Sequence, residues 1–479
     1  MKNVYRENLP YKINMKKFFV FALIAGLSIP LFAQTREFYY LCVLVVFFLL
    51  FLAVKRKPLT LIDMLILMIL TIPLHTFRFG GEEEFIRLSE IAFLPLFFWW
   101  IALRFLNKSR EPLTIRKEFL LLAVYLLINI ASTTNSMFPA ISIKRIIILT
   151  YLFLFTYIVT DIVNNKEKIN IVIKAMVLIS GLSGIIAMAQ SVFPQLIIFA
   201  HLPIGKFFGI TFYRAGVGWH DPNYYALYLT MNAVLTLTCI LSSEKQYPLF
   251  KICFLLQILG LLATFSRTGF ISLVLVIVYI LNYFRKRKLM ISALMLILIT
   301  VTVIATSTLT IYKKYPFLAS VVYRVTDQNK LTQQPTLIMG HRFAAFEANW
   351  AMFLDHPLLG VGPFMATYNF QKYRPSGYKY SPPLLASHNQ YLQLLSEKGI
   401  FGFIVYLGVI FIILMNINKF LRRVADSEYK TYLVGLKSAI FAYLIFSFVG
   451  ETSHEVQFWL TMGLSMALFN IIKKESLNA

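Results

Sequence analysis

Apolar runs recur along this chain with short polar breaks between them. Read with soft edges, they fall at 18–32, 38–54, 59–74, 88–103, 119–132, 146–160, 171–193, 224–241, 250–265, 270–284, 289–309, 400–417, 432–449 and 458–472. Each comes close to the ~20 apolar residues that a helix needs to cross a bilayer. Fourteen spans result, or twelve if the short N-terminal pair is re-entrant or lies at the interface. An outer-membrane barrel would instead show short segments of alternating polarity. The expected fold is therefore an all-α polytopic membrane protein with 12–14 transmembrane helices.

One long stretch breaks the rhythm and divides the chain into three parts. Residues 1–310 form an N-terminal transmembrane bundle of about eleven spans, 311–398 a large helical loop, and 399–479 the C-terminal transmembrane helices. Within the loop, His341 to Leu354 has helical spacing, and Phe343, Phe346, Trp350 and Phe353 make one apolar stripe. Pro357 and the run Gly360-Val361-Gly362-Pro363 end that helix. Pro382-Pro383 precedes a second helix, for which Ser387 is the expected N-cap. Such a loop is expected to lie on the membrane surface over the bundle. No internal repeat is visible.

Charge sets the orientation. The chain is 58% hydrophobic and 14% charged, so its net +24 cannot be read as a soluble nucleic-acid-binding surface. The basic residues cluster between spans, at 55–57, Arg104 to Lys117, Lys166 to Lys168, Lys245, Arg285 to Lys288, Lys419 to Arg423 and Lys473-Lys474. All fall on one side of the membrane, which the positive-inside rule makes the cytoplasm. Both termini are expected there too, with no cleavable signal. The opposite face carries Glu82 to Glu84, the loop 194–223, the Ser266-Arg267 turn and the stretch 311–398. Cys42, Cys239 and Cys253 all lie inside apolar runs without CxxC spacing, so they read as buried thiols.

The groups able to do chemistry sit on that opposite face. Arg267, in TFSRTGF, lies between two apolar runs, where an arginine either snorkels or binds an anion. Arg342 opens the loop helix, and a guanidinium fork grips phosphate oxygens in a way lysine cannot. Its bland reading is a solvated helix-end charge or a pair with Glu347. Arg214 and His220, in FYRAGVGWHDPNYYA, are secondary members, while Asp221 and Asn223 read as helix-start caps. His388, with Leu392 and Leu395 at i+4 and i+7, is expected on the inward face of its helix at the water boundary. Histidine is the side chain whose ordinary pKa suits a base near neutrality. Glu397, Gly399 and Gly402 read as helix-end and close-packing features, and His341, His356 and His454 are weaker alternatives without supporting spacing. No metal-ligand spacing, P-loop or GxGxxG occurs, so neither a metal nor a cofactor is expected.

Ser387 to Gly402 reads S-H-N-x-x-L-x-x-L-x-E-x-G-x-x-G, FSRTGF surrounds Arg267, and Arg342-Phe343 is followed by Trp350 and DHPLLGVGP. In these three places the sequence resembles the O-antigen ligase and O-antigen polymerase superfamily. The likeness covers roughly the C-terminal half in motif terms; the N-terminal spans match only in being many and apolar. It implies a C-type, metal-independent, inverting glycosyltransferase that takes a glycan from undecaprenyl diphosphate on the periplasmic face. By the motif match, His388 takes or orients the acceptor hydroxyl's proton, and Arg267 and Arg342 hold the diphosphate. Arg214, Asn389 and His220 would help to bind substrate. The ligase, with lipid A–core as acceptor, is expected ahead of the polymerase, which joins lipid-linked repeats. A polysaccharide transporter or flippase would show repeated halves with broken helices and charge at mid-membrane depth; neither is found. A membrane scaffold without activity would not need arginines and a histidine converging on one face.

Overall fold

The computed structural model describes residues 59–74, 76–78, 85–106, 116–193, 196, 203–207, 210–242, 248–289, 291, 338–375 and 384–478. The expected spans at 18–32 and 38–54, and all but the start of 289–309, lie outside the described residues. So do Cys42 and the acidic run Glu82 to Glu84.

The remaining expected spans are all helical. They are α1 (Leu61–Thr71), α2 (Leu88–Leu106), α3 (Lys117–Ser132), α4 (Pro139–Ile162), α5 (Lys166–Val192), α6 (Pro222–Ser242), α7 (Pro248–Thr264) and α8 (Arg267–Tyr283). After the loop helices α9 (Ile338–Asp355) and α10 (Ala366–Tyr373) come α11 (Gln390–Arg423), α12 (Ser427–Phe446) and α13 (Val456–Asn478). Two small antiparallel hairpins, Thr76–Arg78 with Phe85–Arg87 and Pro203–Phe207 with Ile210–Tyr213, stand between helices. Among the described residues, α3 to α6, α11 and α13 are long and apolar enough to cross a membrane, and α1, α7 and α8 are shorter apolar helices.

α13 is buried almost all round, as a central helix of a bundle must be. It packs on α4, where Thr156 and Thr160 donate to the carbonyls of Trp459 and Gly463. α5 and α7 meet at Gly184 and Gly260; a Cβ on Gly260 would stand 2.7 Å from the Gly184 Cα. Small residues let membrane helices approach this closely, and Gln257 ties the seam by donating to Ser180 (2.7 Å) and Thr236 (3.1 Å). One core cluster runs through helices from both sides of the long loop. Leu94, Leu127, Ile147, Leu255, Ile271 and Phe411 point outward, as lipid-facing side chains do. Cys239 and Cys253 are buried and unoxidised, in line with the reading of their runs.

Several ion pairs stand at one end of the bundle. Arg104 meets Asp161, Arg116 meets Glu118, and Lys166 meets both Asp426 and Glu428. Asn416 also donates to Glu118, at 2.8 Å. The sequence alternation placed these loops on one face, and they are on one face.

The other end is organised by a break in α11. Gly399 has φ 62° and ψ −168°, so the helix is interrupted there. The carbonyls of Ser396 and Glu397 lose their helical donors, and the segment after α9 supplies replacements. Val361 N donates to Ser396 O (2.8 Å), Gly362 N to Glu397 O (3.1 Å), and Ile400 N to Pro357 O (2.8 Å). Ser132 Oγ adds a second bond to Glu397 O at 2.6 Å. Asn135 and Ser142, from the α3–α4 turn, donate to Gly360 O and Pro363 O, both at 2.8 Å. Buried backbone polar groups at membrane depth must find such partners. The DHPLLGVGP run is thus a clasp on the broken helix.

Two expectations about the loop change. The aromatic stripe on α9 exists, but Phe343 and Trp350 are exposed. The buried face is Ala344, Ala345, Ala348 and Met352, which packs with Val361, Met365 and Phe370. Small side chains let α9 lie close on the bundle and leave the aromatics outside. Ser387 is not the N-cap of α11. Asn389 is, its side chain accepting from Tyr391 N and Leu392 N. Ser387 is buried and donates to Asn349 Oδ1 at 2.9 Å.

Candidate functional site

The α7–α8 turn positions the first arginine. Ser266 caps α8, its Oγ accepting from Gly269 N at 3.2 Å, and Arg267 is the first helical residue. Arg214 is fixed against this turn. Its Nε donates to Thr264 O (3.0 Å) and its Nη2 to Asn223 Oδ1 (2.9 Å). Asp221 caps the start of α6 through Asn223 N (2.8 Å), the structural role read from the sequence. His220, just before it, is exposed.

Arg342 comes to the same place from α9. Its guanidinium lies in the field of Arg267, Asp221 and Tyr224. Burial first and Arg267 second make its proton easier to lose than an ordinary guanidinium's. Two guanidinium groups therefore repel each other beside the N-terminus of α8, whose dipole is itself positive. Such an arrangement is relieved by an anion, and helix N-termini are natural places for one.

His388 is not on the helix. It stands before the cap with φ 49°, in the left-handed region, so the i+4 and i+7 relation to Leu392 and Leu395 does not hold. A non-glycine residue there is strained by about 1–2 kcal/mol and needs outside support. Glu451, on the 447–455 segment between α12 and α13, provides it by accepting from the backbone N–H groups of Ser387 and His388. The segment is itself pinned to the start of α11: Gln390 Oε1 accepts from Thr452 N (2.6 Å) and Ser453 N (2.7 Å). Asn349 links α9 to this turn by accepting from Ser387 Oγ and Ser396 Oγ. Glu451 N donates to Tyr224 Oη at 3.2 Å, and Tyr224 lies in the field of Arg342. Glu451 and Tyr224 thus link the backbone of the His388 turn to the surroundings of Arg342. Among the described residues, four of the five non-glycine residues with positive φ, Val217, Phe265, Phe364 and His388, fall in the loops of this end.

Sequence reading missed Glu451, Tyr224 and a second charged group. Arg87 donates to the carbonyl of His454, and Lys398 pairs with Glu397 at 2.6 Å. Gln393 Nε2 bridges Glu397 Oε1 (3.1 Å) and Glu451 Oε2 (3.3 Å). A signal was available in GETSHEVQ, where two carboxyls stand at the edges of apolar runs.

Burial raises both of them. Glu451 is pushed up to about 7, with Glu397 adding to the effect and the two N–H groups opposing it. Glu455 is pushed up to about 8, opposed by Arg87. Burial, then Arg145, Arg87 and Lys398, holds His454 neutral. A carboxyl raised in the folded state binds a proton that the unfolded chain has released. Its contribution to stability is full below the ordinary 4.5 and is lost as pH rises through the folded value. Thermal unfolding in nanodiscs should therefore shift to lower temperature between pH 5 and pH 8. Glu455→Gln should flatten that slope, and an unchanged slope would refute the buried carboxyl.

Among the described residues no His, Cys, Asp or Glu cluster could hold a metal. The architecture is that of an all-α polytopic membrane protein with arginines and a histidine gathered at one end of its bundle. Over residues 252–407, about a third of the chain, it matches the family model described as O-antigen ligase, and it carries a domain of that family. Arg267, Arg342 and His388 lie inside the match; Arg214, Tyr224 and Glu451 lie outside it. No curated protein matches the chain.

Proposed function

We propose that the chain is an O-antigen ligase-like glycosyltransferase of the bacterial inner membrane. It moves a glycan from undecaprenyl diphosphate to a lipid A–core acceptor on the periplasmic face. The observation that carries this reading is that Arg342 lies in the field of Arg267, the first residue of α8, while Glu451 joins the His388 turn to Tyr224, which is in the field of Arg342 as well. Arginine forks bind diphosphate oxygens in pairs and stabilise the charge that grows as the diphosphate leaves. The His388 imidazole accepts the proton of the acceptor hydroxyl. That oxygen bonds to the anomeric carbon as the bond from the carbon to the diphosphate oxygen breaks. One displacement inverts the anomeric centre. The family match over residues 252–407 supports the reaction class. A polymerase would use the same residues and a lipid-linked repeat as acceptor.

The test is reconstitution of the purified protein with lipid-linked glycan and either lipid A–core or a second lipid-linked repeat. Glycosylated lipid A–core supports the ligase, a lengthened lipid-linked chain the polymerase, and no product from either overturns the transferase reading. EDTA should leave the rate unchanged; a large loss would refute the metal-free mechanism. Arg267→Lys keeps the charge and loses the fork. A charge-assisted bond contributes about 1.5–3 kcal/mol, so transfer should fall on the order of 10- to 100-fold. Full activity in Arg267→Lys would reduce Arg267 to interfacial snorkelling.

A further inference from the structure

The strained turn that carries His388 is gripped by a side chain from a distant segment. Glu451 Oε1 accepts from both Ser387 N and His388 N, and Glu451 Oε2 accepts from Gln393 Nε2 at 3.3 Å. One carboxylate thus holds the turn and the start of α11 together. A histidine at φ 49° relaxes towards ordinary backbone angles unless such contacts oppose it.

Glu451 is itself fixed. Its segment closes on the start of α11 through Gln390, which accepts from Thr452 N and Ser453 N and donates its own N–H to Ser447 O. Ser447 Oγ and Thr452 Oγ, 2.7 Å apart, tie that loop across its width. On the other side Glu451 N donates to Tyr224 Oη on α6, and Tyr224 lies in the field of Arg342. One residue therefore reaches the His388 main chain with its side chain and the arginine side with its own main chain. The neighbouring carboxyl is placed otherwise: Glu397 pairs with Lys398 at 2.6 Å and reaches Glu451 through Gln393.

We propose that Glu451 is the positioning residue for His388: its carboxylate sets the angle of the turn, and so the place of the imidazole relative to the arginines that hold the diphosphate. This rests on the transferase reading above, in which His388 takes the proton of the acceptor hydroxyl. A single displacement needs that base and the leaving group on opposite sides of the anomeric carbon. A shift of about 1 Å in such a group can lower the rate on the order of 10²-fold. Glu451 acts through the main chain it holds and not on a reacting atom.

The experiment compares wild type with Glu451→Gln, Glu451→Asp, Glu451→Ala and Glu455→Gln in nanodiscs, by kcat, KM for the lipid-linked donor and thermal unfolding. Glutamine keeps an oxygen within reach of both N–H groups. Gln393 Oε1, which makes no hydrogen bond among the described residues, can accept from the new amide. Aspartate keeps the charge and falls one methylene short. Glu451→Gln should therefore stay within about tenfold of wild type in kcat, a neutral bond replacing a charge-assisted one. Glu451→Asp and Glu451→Ala should fall on the order of 10²-fold. KM for the donor should stay at the wild-type value throughout, and Glu455→Gln, on the same segment, should keep its kcat. Aspartate outperforming glutamine would overturn the proposal, because charge and not reach would then matter. So would a fall in kcat matched by the loss of folded protein or by a rise in KM for the donor. A second readout needs no activity: the amide proton of His388, followed by NMR in protein carrying isotope-labelled histidine and assigned by its loss in His388→Ala. It should move upfield in Glu451→Asp and stay in place in Glu455→Gln; a signal unmoved in Glu451→Asp would overturn the proposal. If wild type transfers nothing, the transferase reading fails, and the amide signal alone decides whether Glu451 holds the turn.

Discussion

His388→Ala is expected to lower glycan transfer by about 10²- to 10⁴-fold, the usual contribution of a positioned proton acceptor. The protein should still insert, fold and bind its lipid-linked donor. The His388 turn is anchored through main-chain donors: the N–H groups of Ser387 and His388 donate to Glu451, and Gln390 N donates to Ser447 O. Alanine keeps every one of those bonds and removes only the imidazole. His388→Gly sharpens the test, because glycine accepts φ 49° without strain while losing the ring. That variant should be at least as stable as wild type and just as inactive. Transfer measured beside thermal unfolding and donor binding decides the matter, and near-normal transfer in either variant would take His388 out of the mechanism.

The same turn shows what a sequence can and cannot reveal. Helix positions were legible because the apolar runs are long and the breaks between them charged. α3, α4, α6, α11 and α13 cover their expected spans with a few residues to spare, while α5 and α12 end one and three residues early. Arg267 and Arg342 were legible because a guanidinium beside hydrocarbon is costly enough to demand a reason. The His388 backbone was not. Leu392 and Leu395 gave it a helical period, yet the cap falls at Asn389 and the histidine lies in the left-handed region. That outcome depends on Glu451, which is 63 residues away along the chain. Ser387 was read as a cap by its residue type, but Asn349 on α9 claims its hydroxyl. The stripe on α9 misled in the same manner: its aromatics have the right spacing, but the face packed against Val361 and Met365 is made of alanines and Met352. Local pattern sets the elements, and contacts between distant segments set which face and which residue is used.

The second large effect is expected at the clasp. A Cβ on Gly360 would stand 2.2 Å from the carbonyl carbon of Glu397 and 2.4 Å from Lys398 N. A Cβ on Gly399 would stand 2.2 Å from the carbonyl carbon and oxygen of Leu358. Both glycines have positive φ, at 70° and 62°. Alanine at either position pays left-handed strain of about 1–2 kcal/mol and overpacking of about 1–3 kcal/mol, against backbone that cannot turn aside. A typical folded protein has only about 5–15 kcal/mol in hand. Gly360→Ala and Gly399→Ala should therefore each lower the unfolding temperature in nanodiscs sharply and reduce the yield of folded protein. Gly408, on the same helix, has nothing within 4 Å of its missing Cβ, and Gly408→Ala should be neutral or slightly stabilising. Because the two clasp glycines face one contact, the double variant should lose less than the sum of the singles, as coupled neighbours do. Strict additivity, or a Gly399→Ala protein as stable as Gly408→Ala, would mean that the DHPLLGVGP run does not lock the break in α11.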